Sequence, residues 1–346
     1  MNPVYLEDVA VGTGEPVYFI AEIGGNFHSE EEARLLIDQA QAAGANAVKF
    51  QTLEAATITT RDNYFFFNDA PRVSQYENFL KAETPKELQK FVFSYAQERG
   101  ITVFTAPSHV KDVEFMENEL HCPIYKIGSD LCCHIPLLRE VARLQKPIIL
   151  STGLTTLKEI QHSVDAIIEE GNEQLILFHC VSNYPCAPQE VNLRVMDTLR
   201  GLFDGPVGYS DHTLGIDIAL ASVARGADVV ERHFTFDKTA EGPDHELSST
   251  QEELAMLIEW SANVRASLGS PIKQPTRSEL KYRPYNRVAI NAIKDIKAGD
   301  TISEDNVDVR RPATGIEARH WDYVIGRKAR RDVPNDQPLK WTDLEA

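Results

Sequence analysis

Eight short apolar runs punctuate the first 270 residues, and each ends in or beside a side chain able to do chemistry. They are VYFIAE (17–22), AVKFQT (47–52), ITVFTA (101–106), IYKIGS (124–129), PIILST (147–152), LILFHC (175–180), PVGYSD (206–211) and DVVERH (228–233). Helix-like stretches separate most of them, at 30–43, 85–99, 136–145, 156–170, 214–225 and 250–267. Buried strands alternating with helices make a parallel sheet, and eight such units predict an α/β fold closed into a (β/α)8 TIM barrel. A barrel gathers the C-terminal ends of its strands at one mouth, where active sites are built. Glu22, Lys49, Gln51, Thr105, Lys126, Ser129, Ser151, His179, Ser210, His212, Glu231 and His233 would then meet in space. A strand buried only for packing has no reason to end in Lys or Glu.

A barrel uses about 250 residues, so a chain of 346 has room for a second domain. Charge marks where it starts. Residues 271–346 hold 15 basic and 12 acidic side chains, net +3, which leaves residues 1–270 at −20 of the total −17. Between them, GSPIKQPTRSELKYRPYNR (269–287) carries three prolines and five basic residues and reads as an exposed, extended linker. The expected domains are a barrel at 1–270, a linker at 271–286 and a small module at 287–346. In that module RVAINAIKDI (287–296) is strand-like, Gly299 pivots a turn in KAGD, and Ser303 is placed to cap a short helical turn. A turn-rich β unit of about sixty residues has little core of its own and is expected to dock on something.

The acidic balance argues against a nucleic-acid surface. No window approaches the roughly 18 apolar residues of a membrane span, and the opening MNPVYLEDVAVG lacks the basic and apolar regions of a signal peptide. Five cysteines (122, 132, 133, 180 and 186), an odd number without repeated CxxC spacing, read as reduced thiols of a cytoplasmic protein. Adjacent Cys132 and Cys133 suit packing better than a bridge.

At the expected mouth, His212 and His233 end adjacent strands, within reach of one divalent ion or as two unrelated core histidines. With two nitrogens and oxygen ligands to fill the shell, Mn²⁺ or Mg²⁺ suits such a pair better than structural Zn²⁺. Lys49 and Lys126 share a rim with Thr105, Ser129, Ser151 and Ser210. Ammonium groups beside hydroxyls are what a phosphate or carboxylate needs, since each anionic oxygen takes several donors; Schiff-base chemistry at a lysine stays open. Glu22, followed by Gly24 and Gly25, is the candidate acid/base, and Glu231 a charge partner. Asp244 and His245 in GPDH (242–245) could reach substrate hydroxyls or simply cap a turn.

AEIGGN (21–26), GANAVKFQT (44–52), YKIGSD (125–130), KPIILSTG (146–153), HCVSNYP (179–185), VGYSDHTLG (207–215), ERHFT (231–235) and GPDH together resemble the sialic acid synthase family, the phosphoenolpyruvate-dependent nonulosonate synthases. The likeness continues through KDIKAGD (294–300), VRRP (309–312) and IGRK (325–328) into what resembles an antifreeze-like SAF domain. It implies a transferase that condenses phosphoenolpyruvate with the open-chain aldehyde of an N-acyl hexosamine or related sugar. It implies His212 and His233 as holders of a divalent metal, Mn²⁺ with Mg²⁺ or Co²⁺ as substitutes. Lys49, Thr105, Lys126, Ser129, Ser151, Ser182 and Ser210 would bind phosphoenolpyruvate, with Glu22 as acid/base. Gln51, Tyr184, Asp244 and Arg311 would contact the sugar, Arg311 reaching across a domain-swapped homodimer. A +3 module over a −20 barrel suits that assembly.

The chain departs from the family where the sugar is read. Leu131 stands where an acid usually follows YKIGS, with Asp130 one place early, and Ala70 replaces an asparagine. Thr105-Ala106-Pro107-Ser108 replaces a serine-threonine-proline-phenylalanine run. Ser182 replaces an asparagine, with Asn183 beside it, and Ala289 replaces a serine. The same reaction on another acceptor is expected, with Leu131 favouring an apolar acyl or deoxy feature. The rivals are a lysine-dependent aldolase or lyase acting through Lys126, and a sugar-binding relative in polysaccharide assembly that has lost catalysis.

Overall fold

The computed structural model of the protein describes residues 3–65, 72–240, 242 and 244–345. The chain divides into two compact units, Met1–Gly269 and Ser270–Ala346.

In the first unit the eight apolar runs are the eight strands of one closed parallel barrel: β1 (Tyr18–Glu22), β2 (Ala47–Thr52), β3 (Thr102–Pro107), β4 (Tyr125–Ile127), β5 (Ile148–Ser151), β6 (Leu175–Cys180), β7 (Val207–Asp211) and β8 (Val229–His233). Closure is made by β8 on β1, where Val229 lies opposite Tyr18 and His233 opposite Glu22. A helix follows each strand: α1 (Glu30–Ala43), α2 (Lys86–Arg99), α3 (Val110–Asn118), α4 (Ile135–Arg143), α5 (Leu157–Ile168), α6 (Val195–Leu202), α7 (Asp217–Ala224) and α8 (Gln251–Leu268). The short α3 and α6, nine and eight residues, escape the sequence periodicity. Ser29 begins α1 by accepting from Glu32 N, three glutamates occupy the positive first turn, and Gly44 ends it in the left-handed region at φ 92°. A hairpin of Val4–Leu6 and Val9–Val11 precedes the barrel. Leu6 and Val11 are buried in the main core, and Glu7 accepts from Thr102 at the start of β3, so the hairpin closes the N-terminal end.

Register decides which side chains face the barrel axis. Partners across a parallel pair share a face, and neighbours along a strand alternate. Glu22 pairs with Lys49, Lys49 with Phe104, Lys126 with Ile149, Ser151 with Phe178, Cys180 with Ser210, and Ser210 with Glu231. This set is the interior. The alternate set faces the helices: Phe50 meets Phe93 of α2 edge-on, and Thr52 donates to Gln89 of the same helix.

The second unit opens with α9 (Arg277–Asn286) where an extended linker was expected. A reciprocal cap explains it. Thr276 accepts from Glu279 N while the Glu279 carboxylate takes Thr276 N, and the helix runs only two residues past Pro284. Strands β9 (Ala289–Ala292) and β10 (Val307–Arg310) pair antiparallel. Gly299 makes its turn at φ 91°. The turn at 303–306 is closed by Asn306, whose Oδ1 accepts from Ser303 N, rather than by the Ser303 side chain. Contrary to expectation the unit has its own core, with Ile290, Ile296, Ile302, Val307, Ile316, Val324, Val333 and Leu339 all buried. Among the described residues no helix is long and apolar enough to cross a membrane.

Candidate active site

Four charged side chains meet inside the barrel, almost without solvent: Glu22, Lys49, Lys126 and Glu231 are 1, 5, 2 and 4% exposed. They form an alternating chain. Lys49 contacts Glu22 and lies 3.4 Å from Glu231 Oε2, and Lys126 reaches both Glu231 oxygens at 2.7 and 2.9 Å. Ser210 Oγ donates to Glu231 Oε1 at 3.0 Å, and Glu22 Oε1 accepts Gly24 N–H at 2.6 Å. A methyl group at Gly24 would strike that oxygen, so glycine is required there. Burial works against the Glu231 charge, yet two ammonium groups hold its carboxyl well below the usual range. Burial likewise opposes the Lys49 charge, and the two carboxylates outweigh it and raise its pKa. At Lys126 burial and Lys49 prevail over Glu231, so its pKa lies below the ordinary lysine value. Removing four charges from water is costly, and packing could be had more cheaply with apolar side chains. Such an arrangement points to chemistry. Glu231, expected only as a charge partner, is the group that holds both lysines.

Beside this chain lies a cradle of hydroxyls. Ser129 Oγ accepts from Gly153 N at 3.0 Å. A Cβ placed on Gly153 would stand 2.5 Å from Ser182 Oγ and 2.7 Å from Ser129 Oγ, so both hydroxyls converge on a spot only glycine leaves open. Ser151, two residues earlier, belongs to the interior set. A cavity of about 800 Å³ lies behind this spot on the helix side, where Thr152, His179 and Ser182 face Ile160 of α5 and Leu199 of α6.

Two expected members are elsewhere. Thr105 pairs with Phe50 on the helix side of the sheet, its hydroxyl bonded to Phe50 O and Thr52 Oγ1. The interior position of that strand end is Ala106, which brings no donor. His179 also faces outward, its Nε2 at 2.5 Å from Val191 O, and burial lowers its pKa.

The histidine pair sits at the exits of β7 and β8. The rings of His212 and His233 are 5.4 Å apart between centroids, and Tyr184 lies 4.0 Å from the first and 5.8 Å from the second. His212 Nδ1 is 2.8 Å from Val181 O, and a carbonyl only accepts, so Nδ1 carries the proton and Nε2 keeps a lone pair. His233 Nδ1 is buried without a hydrogen bond, 3.4 Å from Asp244 Oδ2. Burial alone would lower the His233 pKa, but the Asp244 carboxylate raises it. The same contact overcomes burial at Asp244 and lowers its pKa. Two imidazoles with uncommitted nitrogens fit a divalent ion. Among the described residues no three His, Cys, Asp or Glu side chains gather as ligands, so oxygens of water or substrate must complete the shell.

The remaining candidates separate. Gln51 belongs to the interior set. His245 is tied inward through Nδ1, 2.7 Å from Thr235 Oγ1. Asn183 turns to Glu190. Leu131 is half-buried and packs against the hydrophobic core; Asp130 beside it is exposed. Ala70 and Pro243 lie outside the described residues. Arg311 is exposed in the second unit. All five cysteines are free; Cys132 packs in the core and Cys133 is exposed. Cys180, not singled out from sequence as a site residue, is interior, 3.8 Å from His212 Nδ1.

Comparison with known proteins bears on family and fold. The model of the NeuB family matches residues 36–273 and that of the SAF domain residues 287–345. The N,N'-diacetyllegionaminic acid synthase of Campylobacter jejuni is 36% identical over 328 residues, 93% of this chain and 98% of that protein. The pseudaminic acid synthase of Campylobacter jejuni is 33% identical over 339 residues, 96% of this chain and 98% of that one. A crystal structure of the N-acetylneuraminic acid synthetase of Leptospira borgpetersenii, in complex with citrate, superposes with a TM-score of 0.72 at 32% identity, over 82% of this chain and 96% of that one.

Proposed function

Because the chain belongs to the NeuB family and ends in a SAF domain, we propose that this enzyme joins phosphoenolpyruvate to the open-chain aldehyde of an N-acyl hexosamine or related aldose, giving a nonulosonate and inorganic phosphate. The observation that carries the reading is one barrel interior holding two buried lysines, a hydroxyl cradle and an imidazole pair. Each suits one part of the reaction.

Lys49 and Lys126 lie where the anionic substrate binds, and Ser129, Ser151 and Ser182 donate to its oxygens, with Ser210 joining them once it turns from Glu231. C3 of phosphoenolpyruvate attacks the aldehyde carbon, and the aldehyde oxygen gains a proton. Water adds at C2, and phosphate leaves with C–O cleavage. Glu22 handles protons, because on the interior face it stands between Lys49 on one neighbouring strand and His233 on the other. His212 and His233 would hold a divalent ion, Mn²⁺ on the donor set, which would supply Lewis acidity toward the aldehyde. Gln51, Tyr184 and Asp244 contact the sugar.

The four interior charges of the lysine chain sum to zero, so a trianionic substrate calls for further positive charge. The divalent ion is one source. Arg311 from a second copy of the chain is the other, which supports a domain-swapped homodimer. Free thiols throughout suit a cytoplasmic enzyme.

Phosphate release from phosphoenolpyruvate, measured with Mn²⁺ across N-acylated and diacetamido aldoses, tests the reading; no release with any acceptor overturns it. The lowered pKa of Lys126 favours imine chemistry as the second reading. Borohydride reduction with pyruvate would then label Lys126 and EDTA would leave activity intact; no label and loss of activity are expected.

A further inference from the structure

The residue before each metal-pair histidine belongs to a buried ion pair on the opposite face of the barrel wall. Asp211 precedes His212 and Arg232 precedes His233, and the two are register partners across β7 and β8. Their side chains point to the helix side because strand neighbours alternate. Asp211 is 1% and Arg232 2% exposed, and Arg232 Nη1 lies 2.7 Å from Asp211 Oδ2. The guanidinium is used far beyond that contact. It donates to Thr213 O at 2.8 Å, to Ser249 Oγ at 3.1 Å and to Leu247 O at 3.4 Å. Asp211 Oδ1 in turn accepts from Tyr209 OH, Thr213 N and Thr213 Oγ1 at 3.1, 2.9 and 2.8 Å.

This network grips every segment that presents the histidine pair. Thr213 follows His212, so the backbone of His212 is held from both sides. Ser249 N donates to His233 O at 2.7 Å. Ser248, next to it, donates through Oγ to Asp244 O at 2.6 Å and receives Asn26 Nδ2 at 3.2 Å. Packing does not require an arginine here: a buried pair is often no more stabilising than apolar side chains of similar volume. A planar fork is required if three loop carbonyls and hydroxyls must be fixed relative to one carboxylate.

We propose that Arg232, locked to Asp211, is the positioning residue for the His212–His233 pair, setting the separation and ring orientation on which divalent-ion affinity depends. It touches no reacting group and acts through the backbone on either side of each imidazole. The inference rests on reading these histidines as metal ligands. Supporting groups of this kind change metal affinity by about 10–100-fold when removed.

The test is Mn²⁺ binding by electron paramagnetic resonance and calorimetry, on the full-length apoprotein, with phosphoenolpyruvate affinity measured separately without metal. For Arg232→Met, Mn²⁺ Kd should rise at least tenfold while phosphoenolpyruvate Kd stays within about twofold, because the lysine chain does not contact Arg232. Arg232→Lys keeps the ion pair but loses the fork, and should fall between wild type and Met. If Met does not fold, Lys and Ser249→Ala carry the test, each expected to raise Mn²⁺ Kd severalfold. Wild-type Mn²⁺ affinity in a folded Arg232→Lys or Arg232→Met protein overturns the positioning role. Equal losses of metal and phosphoenolpyruvate affinity also overturn it, since that is the signature of general loosening. Absence of Mn²⁺ binding by the wild type removes the metal reading itself, a different result from a wild type that binds and a variant that matches it.

Discussion

In the lysine part of the barrel mouth every charged group has a partner, whereas in the histidine part nitrogens are left uncommitted. Glu22, Lys49, Glu231 and Lys126 satisfy one another before any substrate arrives. His212 keeps the lone pair of Nε2, and His233 Nδ1 has no hydrogen bond. The first region is an electrostatic frame already closed, in which a lost member leaves a buried charge uncompensated. The second, on the function proposed above, is an open coordination site, whose members would be dispensable to the fold and decisive for the chemistry. The two should therefore fail in different ways.

The sharpest separation is His212→Ala. Mn²⁺-dependent turnover should drop to background, while unfolding in chelator shifts by only about 1 kcal/mol, the worth of one hydrogen bond; retained turnover contradicts the open-site description. Glu231→Gln should do the reverse as well as abolish activity. It strands two ammonium groups and should cost about 3–5 kcal/mol in urea unfolding. The pH dependence has a definite sign. The Glu231 carboxyl is depressed in the folded state, so its contribution is complete above the unfolded value of about 4.3 and fades as pH falls below it. Wild-type stability should decline more steeply than that of Glu231→Gln on acidification from pH 5; parallel curves would show that the charge chain is not a unit.

Gly153→Ala probes the border between the two regions. The added methyl enters the gap between Ser129 and Ser182, and the KM for phosphoenolpyruvate should rise about tenfold, equivalent to 1.4 kcal/mol, with Mn²⁺ affinity unchanged. An unaltered KM would remove the cradle from substrate binding. The smallest effect belongs to Arg311→Ala, which should raise the KM for the sugar severalfold more than that for phosphoenolpyruvate; equal changes would argue against an arginine supplied across a dimer.

Strand number, strand order and the mouth at their C-terminal ends were legible because each run is apolar, short and followed by a polar terminus. Which of two neighbouring residues faces inward was not. In ITVFTA the hydroxyl of Thr105 looks well placed, but register gives the interior to Ala106. In LILFHC the imidazole of His179 is expected at the mouth, but Cys180 is the interior residue. Asp211 and Arg232 escaped notice for the converse reason: adjacent to expected ligands, they serve from the other face. Residues 277–286 are helical despite the prolines around them, because the Thr276–Glu279 capping box starts a helix that their composition hides.

Residue order alone determined a barrel with lysines, serines and histidines delivered to one rim, because periodic burial and strand ends are local properties of a chain. Only the tertiary structure decided that Glu231 joins both lysines, that Ser129 and Ser182 close on Gly153, and that Arg232 reaches the loops after both β7 and β8. Those facts depend on register between strands distant in sequence, and a shift of one residue sends every side chain to the opposite face.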